Sequence, residues 1–289
     1  MNATTSVQQA TRSDTNQIAN FLSHAALIHR HLDWQGVLDW IPHKPFLLLR
    51  QDDQLNGVLV CPPDQGDIAW IRCFAASRYP KMREIWALLF HAACKAAELS
   101  EKTLYSVGLN DWFAQLLADF GFINFQNIVV LLWNRRYPEQ KARFNPWQIR
   151  PMTASDLPQV AALDAASFEP MWINPLDKLT LAYNQSEHAS VAELDDEIIG
   201  YEMTTANHFS AHLARIAVHP KHQKQQIGST LVTEMLKYFT RKGIDQITVN
   251  TQNNNTSSLA LYQNLGFELT GETFPVFRSK VISFEAKTQ

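Results

Sequence analysis

The chain repeats itself over a period too long for a solenoid unit and about the size of a whole domain. Ser13-Asp14, followed by Gln17-Ile18-Ala19, returns 142 residues later as Ser155-Asp156 followed by Gln159-Val160-Ala161. Near the far end, Asn110 and Gly121-Phe122 return 145 residues later as Asn255 and Gly266-Phe267. Between these landmarks Trp70-Ile71-Arg72-Cys73-Phe74 and Arg215-Ile216-Ala217-Val218 fall in register as strands, each ahead of a long amphipathic helix. Two copies of one fold explain the pattern, and 289 residues at about 150 per domain agree. Proline and charge interrupt the apolar pattern over 137–150, so the expected division is 1–140 and 148–289.

Composition narrows the function classes. Apolar residues make up 46% and charged residues 18%, a folded globular balance, and the net charge of −3 carries no basic excess for nucleic acid. Cys61, Cys73 and Cys94 are odd in number and lack ligand spacing, so neither a disulfide framework nor a metal site is expected. The His29-x-His31 pair, His188, His208, His219 and His222 are likewise read as surface or loop residues. No apolar run approaches the roughly 18 residues of a membrane span, and the N-terminus has no secretory pattern. No membrane partner and a cytoplasmic location are the expectations.

In the second copy a helix is expected over 156–167, a hairpin of 189–194 and 198–206 across Asp195-Asp196-Glu197, a strand over 212–218, and a helix over 227–241. A strand at 247–249, a helix at 256–265 and β segments at 269–273 and 276–284 follow. The first copy runs similarly: helix 15–26, strands 46–50, 57–61 and 68–74, helix 81–99, strand 104–107, helix 112–119 and a buried strand 127–133.

The chemistry concentrates where the strand ending at Val218 passes through a polar loop into a helix beginning with Gly228 and Ser229. Orphan amides at a helix N-terminus attract anions, Gly228 admits close approach, and Lys221, Lys224 and the glutamines add donors. The pattern Val218-x-Pro220-x-x-Gln223-x-x-Gln226-x-Gly228-Ser229, then Asn255, Tyr262 and Gly266-Phe267, resembles the Gcn5-related N-acetyltransferase (GNAT) family over roughly 150–285. The resemblance implies two tandem acyl-CoA N-acyltransferase folds, each a mixed, mostly antiparallel sheet flanked by helices.

It also implies acetyl-CoA as cosubstrate. Gln223, Lys224, Gln225, Gln226, Ile227, Gly228 and Ser229 would hold its pyrophosphate, and Ile216, Ala217 and Val218 would pair with the pantetheine arm. Lys224 and Gln226 stand where family members carry glycine, and their Cβ atoms oppose positive φ. Tyr262 matches the residue that protonates the departing thiolate, and Asn255 the helix-capping, cofactor-contacting position. For the base, His212 occupies one family position for a carboxylate and Glu202 is a second candidate. The fifth-strand position holds Asn250 and offers no base.

The acceptor is expected to be a small-molecule or peptide amine. Asp164, Glu169, Asp177 and Glu187 hint at a cation, and Phe168, Trp172 and Tyr183 could line an apolar pocket or the core. At an offset of 145 residues Gly228 falls on Arg83 and Tyr262 on Leu117, so the first copy is read as degenerate. The other reading is a non-catalytic sensor of acyl-CoA or an amine. Monomer and homodimer stay equally open.

Overall fold

The computed structural model describes residues 5–136 and 145–280, with the side chains of Tyr79 and Lys280 left out. Most of the expected linker and the end of the last expected strand lie outside these residues. In chain order the elements are β1 (Thr5–Gln9), α1 (Thr15–His24), β2 (Leu27–Arg30), β3 (Phe46–Gln51), β4 (Gln54–Val60), β5 (Ile68–Trp70) and β6 (Cys73–Ala76). Next come α2 (Met82–Cys94), β7 (Thr103–Val107), α3 (Asp111–Asp119) and β8 (Ile123–Trp133). The second half has β9 (Gln148–Pro151), α4 (Leu157–Ser167), α5 (Leu176–Gln185), β10 (His188–Leu194), β11 (Glu197–Ala206) and β12 (Ser210–Val218). It closes with α6 (Ile227–Arg241), β13 (Gln246–Gln252), α7 (Thr256–Asn264) and β14 (Phe267–Lys280).

The repeated Ser-Asp signature is a capping device. Thr11 donates its N–H and hydroxyl to Asp14 at 2.8 and 2.7 Å, and Thr153 does the same to Asp156 at 2.7 and 2.9 Å. Each carboxylate satisfies donors that would otherwise be orphaned where the chain turns into α1 or α4. Asp195 and Asp196 turn β10 into β11 with φ of 49° and 65°, as the tight hairpin reading requires.

Contacts divide the chain into two units, residues 1–126 with 274–289, and residues 127–273. This differs from a division at the linker by an exchange of closing strands. Residues 128–132 of β8 pair antiparallel with β13 in the second unit, while Val276–Lys280 of β14 pair antiparallel with β7 in the first. The two expected β segments at the C-terminus are thus one strand through Gly271, whose φ is 89°. β1, β2, β9 and α5 are not expected from the sequence, being short or lacking a clear apolar period.

Within the first unit the strand order is β1-β3-β4-β6-β2, with β5 parallel to β7. The expected strand 68–74 is broken at Ile71-Arg72. Within the second unit the order is β9-β10-β11-β12-β13-β8-β14, and β12 with β13 is its parallel pair. Both units carry a glycine that lets a helix lie on the sheet: a Cβ on Gly200 would meet Ile227 Cγ2 at 2.8 Å and Leu231 Cδ1 at 3.3 Å, and one on Gly57 would collide with Ile85 and meet Leu89 at 3.0 Å. That correspondence equates Ile85 with Ile227 and Trp86, rather than Arg83, with Gly228. In the same register Cys73, rather than Trp70, corresponds to Arg215, since Gly57 opposes Ala76 and Gly200 opposes Val218.

His29 is fully buried on β2, contrary to the surface reading, and its ring stacks on Phe113 at 3.9 Å between centroids. Burial lowers its pKa from 6.5 to about 3. The unfolded chain therefore takes up a proton below pH 6.5 that the folded chain refuses. Stability is fully present above pH 6.5 and falls by about 1.4 kcal/mol per pH unit on acidification toward pH 3. Urea titrations from pH 7 to 5 check this: the midpoint should fall below pH 6.5, and His29→Leu should reduce the slope, to which part-buried His212, also lowered by burial, contributes with the same sign.

Candidate active site

β12 and β13 run parallel only from Ser210↔Gln246 to Leu213↔Val249 and then part. At the parting β12 bulges: Met203 opposes Arg215 and Thr204 opposes Leu213, leaving Ala214 as the extra residue. Ile216, Ala217 and Val218 then pair with Glu202, Tyr201 and Gly200 on one side. Their other edge faces the gap, a row of backbone groups ready for an extended partner.

The strand leads into a short 3-10 turn, Pro220–His222, where His219 Nδ1 accepts the Lys221 amide at 3.2 Å. Gln223 turns back and donates its side-chain amide to Val218 O at 3.3 Å. Lys224 and Gln226 both adopt left-handed backbone, with φ of 61° and 65°, despite their Cβ atoms. Each costs about 1–2 kcal/mol relative to ordinary backbone. The result is that Gln226 N-caps α6 with no side-chain bond, and among the described residues no protein acceptor takes the backbone N–H groups of Gln223 through Ser229. Gln223–Gln226 are exposed. Ser229 and Thr230 give their hydroxyls to Gln226 O at 2.8 and 3.0 Å, and the Thr230 amide joins them there at 2.9 Å as the first intrahelical bond, so the Ser229 hydroxyl does not compete for the amides before it. A Cβ on Gly228 would press Leu261 Cδ2 at 3.3 Å, which explains glycine where α6 approaches α7.

Tyr262 is 3% exposed on α7, beside Phe267 at 5.8 Å. Its hydroxyl has no hydrogen-bond partner among the described residues, and burial pushes its pKa well above the ordinary phenol value. Asn255 caps α7 by accepting the Ser258 amide at 3.1 Å, so its oxygen is already engaged.

His212 lies two residues before the bulge. Thr248 donates its hydroxyl to Ala211 O at 3.4 Å and presents a lone pair to His212 Nδ1 at 2.9 Å. In the tautomer that keeps this pair of contacts the proton sits on Nδ1 and Nε2 has its lone pair; the tautomer in which Thr248 donates to Nδ1 places the proton on Nε2. Burial lowers the His212 pKa, which keeps the ring neutral at pH 7. Glu202 is different: it is fully buried, with Oε1 held by His188 at 2.7 Å and Ser190 at 2.9 Å and Oε2 by Thr204 at 2.7 Å. A carboxylate so enclosed and engaged holds neighbours in place and has no open path to an incoming amine.

The acidic residues singled out for a cationic acceptor are partly spoken for. Fully buried Asp164 takes Arg215 through both oxygens at 2.8 Å, Tyr201 OH at 2.5 Å and the Asn174 amide at 2.8 Å. Arg215 also donates to Trp172 O at 2.6 Å and lies 3.6 Å over Phe168, bracing the 168–174 segment on β12 beside the bulge. This cluster is missed by sequence reasoning because its members are 51 residues apart. Asp164→Ala strands the guanidinium in the interior and should cost about 3–5 kcal/mol, read as a lower urea midpoint. Glu187 pairs with Lys242, and Tyr183 donates its hydroxyl to Met152 O at 3.3 Å.

Residues 157–267 match the family described as Acetyltransferase (GNAT). The second unit is a GNAT domain. The chain is 30% identical over 69 residues to N-acetyltransferase family 8 member 3 of Mus musculus, covering 24% of this chain and 30% of that one. It is also 27% identical over 95 residues to the [ribosomal protein bS18]-alanine N-acetyltransferase of Escherichia coli K12, covering 32% of this chain and 64% of the other. The matches thus span about a third to two thirds of those relatives. In fold the whole chain resembles a tandem GNAT protein from the clavulanic acid biosynthesis pathway, with TM-score 0.66, 15% identity and coverage of 97% and 99%. A GCN5-related N-acetyltransferase from Sphaerobacter thermophilus superposes with TM-score 0.62 at 12% identity, covering 96% of each chain. The tandem GNAT fold follows. Among the described residues no three His, Cys, Asp or Glu gather as metal ligands, and no helix is long and apolar enough to cross a membrane.

Proposed function

We propose that the second unit transfers the acetyl group of acetyl-CoA to a primary amine of a small molecule or peptide. The observation that carries this reading is the run of backbone amides from Gln223 to Ser229 that have no acceptor among the described residues, at the end of α6 where Gln226 caps without a side-chain bond. A buried, well-capped helix would satisfy such donors itself; here they converge on solvent, where a diphosphate supplies the missing acceptors and meets the helix dipole.

From that anchor, the free edge of Ile216–Val218 guides the pantetheine arm toward the bulge at Ala214. The amides there polarise the thioester oxygen. His212 Nε2 accepts the proton that the ammonium must lose, directly or through water, so that the amine attacks as a neutral nucleophile. As the C–N bond forms and the C–S bond breaks, Tyr262 gives its proton to the thiolate. Burial raises the phenol pKa, but the same surroundings destabilise a thiolate, so the pair stays closer in proton affinity than the phenol's value alone suggests. The amine acceptors named for the similar ribosomal-protein acetyltransferases agree with a peptide N-terminus as one class to test.

A thiol-release assay with acetyl-CoA and a panel of peptide and small-molecule amines tests the reading. Amine-dependent release supports transfer. Coenzyme binding with no release on any amine favours a sensor.

A further inference from the structure

In the first unit the parallel pair β5 and β7 runs from Ile68↔Thr103 to Trp70↔Tyr105 and then parts, as β12 and β13 do in the second. The strand beyond the parting is β6, whose Ala76 and Cys73 correspond to Val218 and Arg215. Here the likeness stops. β6 is paired on both edges, with β4 and with β2, which runs antiparallel from Leu27↔Ala76 to Arg30↔Cys73. The ladder continues through the His31 amide to Arg72 O at 2.9 Å. β2 thus lies along the edge whose counterpart, Ile216–Val218, is open.

Side chains close the remaining space. From β2, buried His29 reaches across to β7, with Nε2 3.4 Å from Ser106 Oγ, and stacks on Phe113 of α3. At the position of Gly228 stands Trp86, fully buried with Phe74 at 5.0 Å, Phe90 at 5.3 Å and Phe113 at 5.9 Å. α2 also begins at Met82, three residues before Ile85, whereas α6 begins at Ile227 itself. Continued helix replaces the loop that exposes amides in the second unit.

We propose that β2 and Trp86 permanently occupy, in the first unit, the cleft that coenzyme enters in the second, so that the chain holds one coenzyme and the first unit none. The second-unit half of this statement rests on the function proposed above. Coenzyme entering the first unit would have to unzip the β2 ladder and expose His29 and Trp86 to water.

Two measurements on the full chain test it. Calorimetric titration with CoA should give one site per chain, and Gly228→Trp, which installs the first unit's residue in the second, should weaken binding at least 100-fold with no residual site. Two sites, or a site of undiminished affinity in Gly228→Trp, would overturn the proposal. Hydrogen exchange supplies a readout independent of that variant's folding: the amides of Leu27, His29 and His31, which face β6, should exchange slowly and stay unchanged with saturating CoA, while 214–229 gain protection. Altered protection at these three amides on CoA addition would also overturn it. If the protein binds no CoA while these amides remain slow, the second-unit reading fails and closure of the first unit stands.

Discussion

A fragment of residues 148–289 is expected not to fold cooperatively, although it contains the whole family match. It lacks β8, whose residues Ile128 to Leu132 pair with Gln252 to Thr248 of β13. It also loses Leu131, fully buried, and Trp133, 3% exposed, whose indole N–H donates to Leu265 O at 3.0 Å. Emptying a Leu and a Trp site costs about 2–5 and 3–5 kcal/mol respectively, which together rival the 5–15 kcal/mol that holds an ordinary domain folded. The unpaired edge of β13 would add a tendency to aggregate. Near-UV circular dichroism and urea unfolding read the outcome: weak tertiary signal and a broad transition are expected, and a sharp transition matching the intact chain refutes the strand exchange as a requirement.

Tyr262→Phe should lower kcat by about 10²- to 10⁴-fold, the usual range for loss of a general acid. The substitution removes one oxygen that bonds to no described residue and preserves the ring's packing against Phe267. Stability and CoA affinity should therefore change little, which separates a chemical role from a structural one. A variant with unaltered turnover would take Tyr262 out of the proton path. Unequal loss among acceptors of different amine pKa would show how far thiolate protonation limits the rate.

Much of this was legible in the linear pattern, because the features concerned are local. The helix over 227–241 follows from a 3.6-residue apolar period ending at a glycine, and the observed helix has the same bounds. The hairpin across Asp195 and Asp196 is equally short-range; the capping boxes at Asp14 and Asp156 are also local, but the sequence shows them only as a repeated Ser-Asp. The loop 219–226 was also visible, yet the glycine-poor sequence predicts reluctance toward positive φ at Lys224 and Gln226, and the fold imposes it on both. Packing of Ile227 against Gly200 and of Gly228 against Leu261 fixes where α6 must begin, and the loop adjusts.

The functional residues divide the same way. Asn255 and Tyr262 are placed by their spacing on one helix. The sequence offers Glu202 as a base because it gives the strand but not the partners; three side chains from β10 and β11 enclose it. The Asp164–Arg215 pair and the buried state of His29 are contacts between distant segments, invisible to periodicity.

The amino-acid order alone thus determined the duplication, which is read from the repeat itself, and the type of most long elements together with the strand-loop-helix proposed to receive a diphosphate, which are set by neighbours within a turn or two of backbone. Tertiary structure decided which unit owns the closing strands, which carboxylates are engaged, and that a four-residue strand fills the first cleft. Those outcomes depend on which distant surfaces bury one another, a choice made by the free energy of the whole packed core and written in no single stretch of sequence.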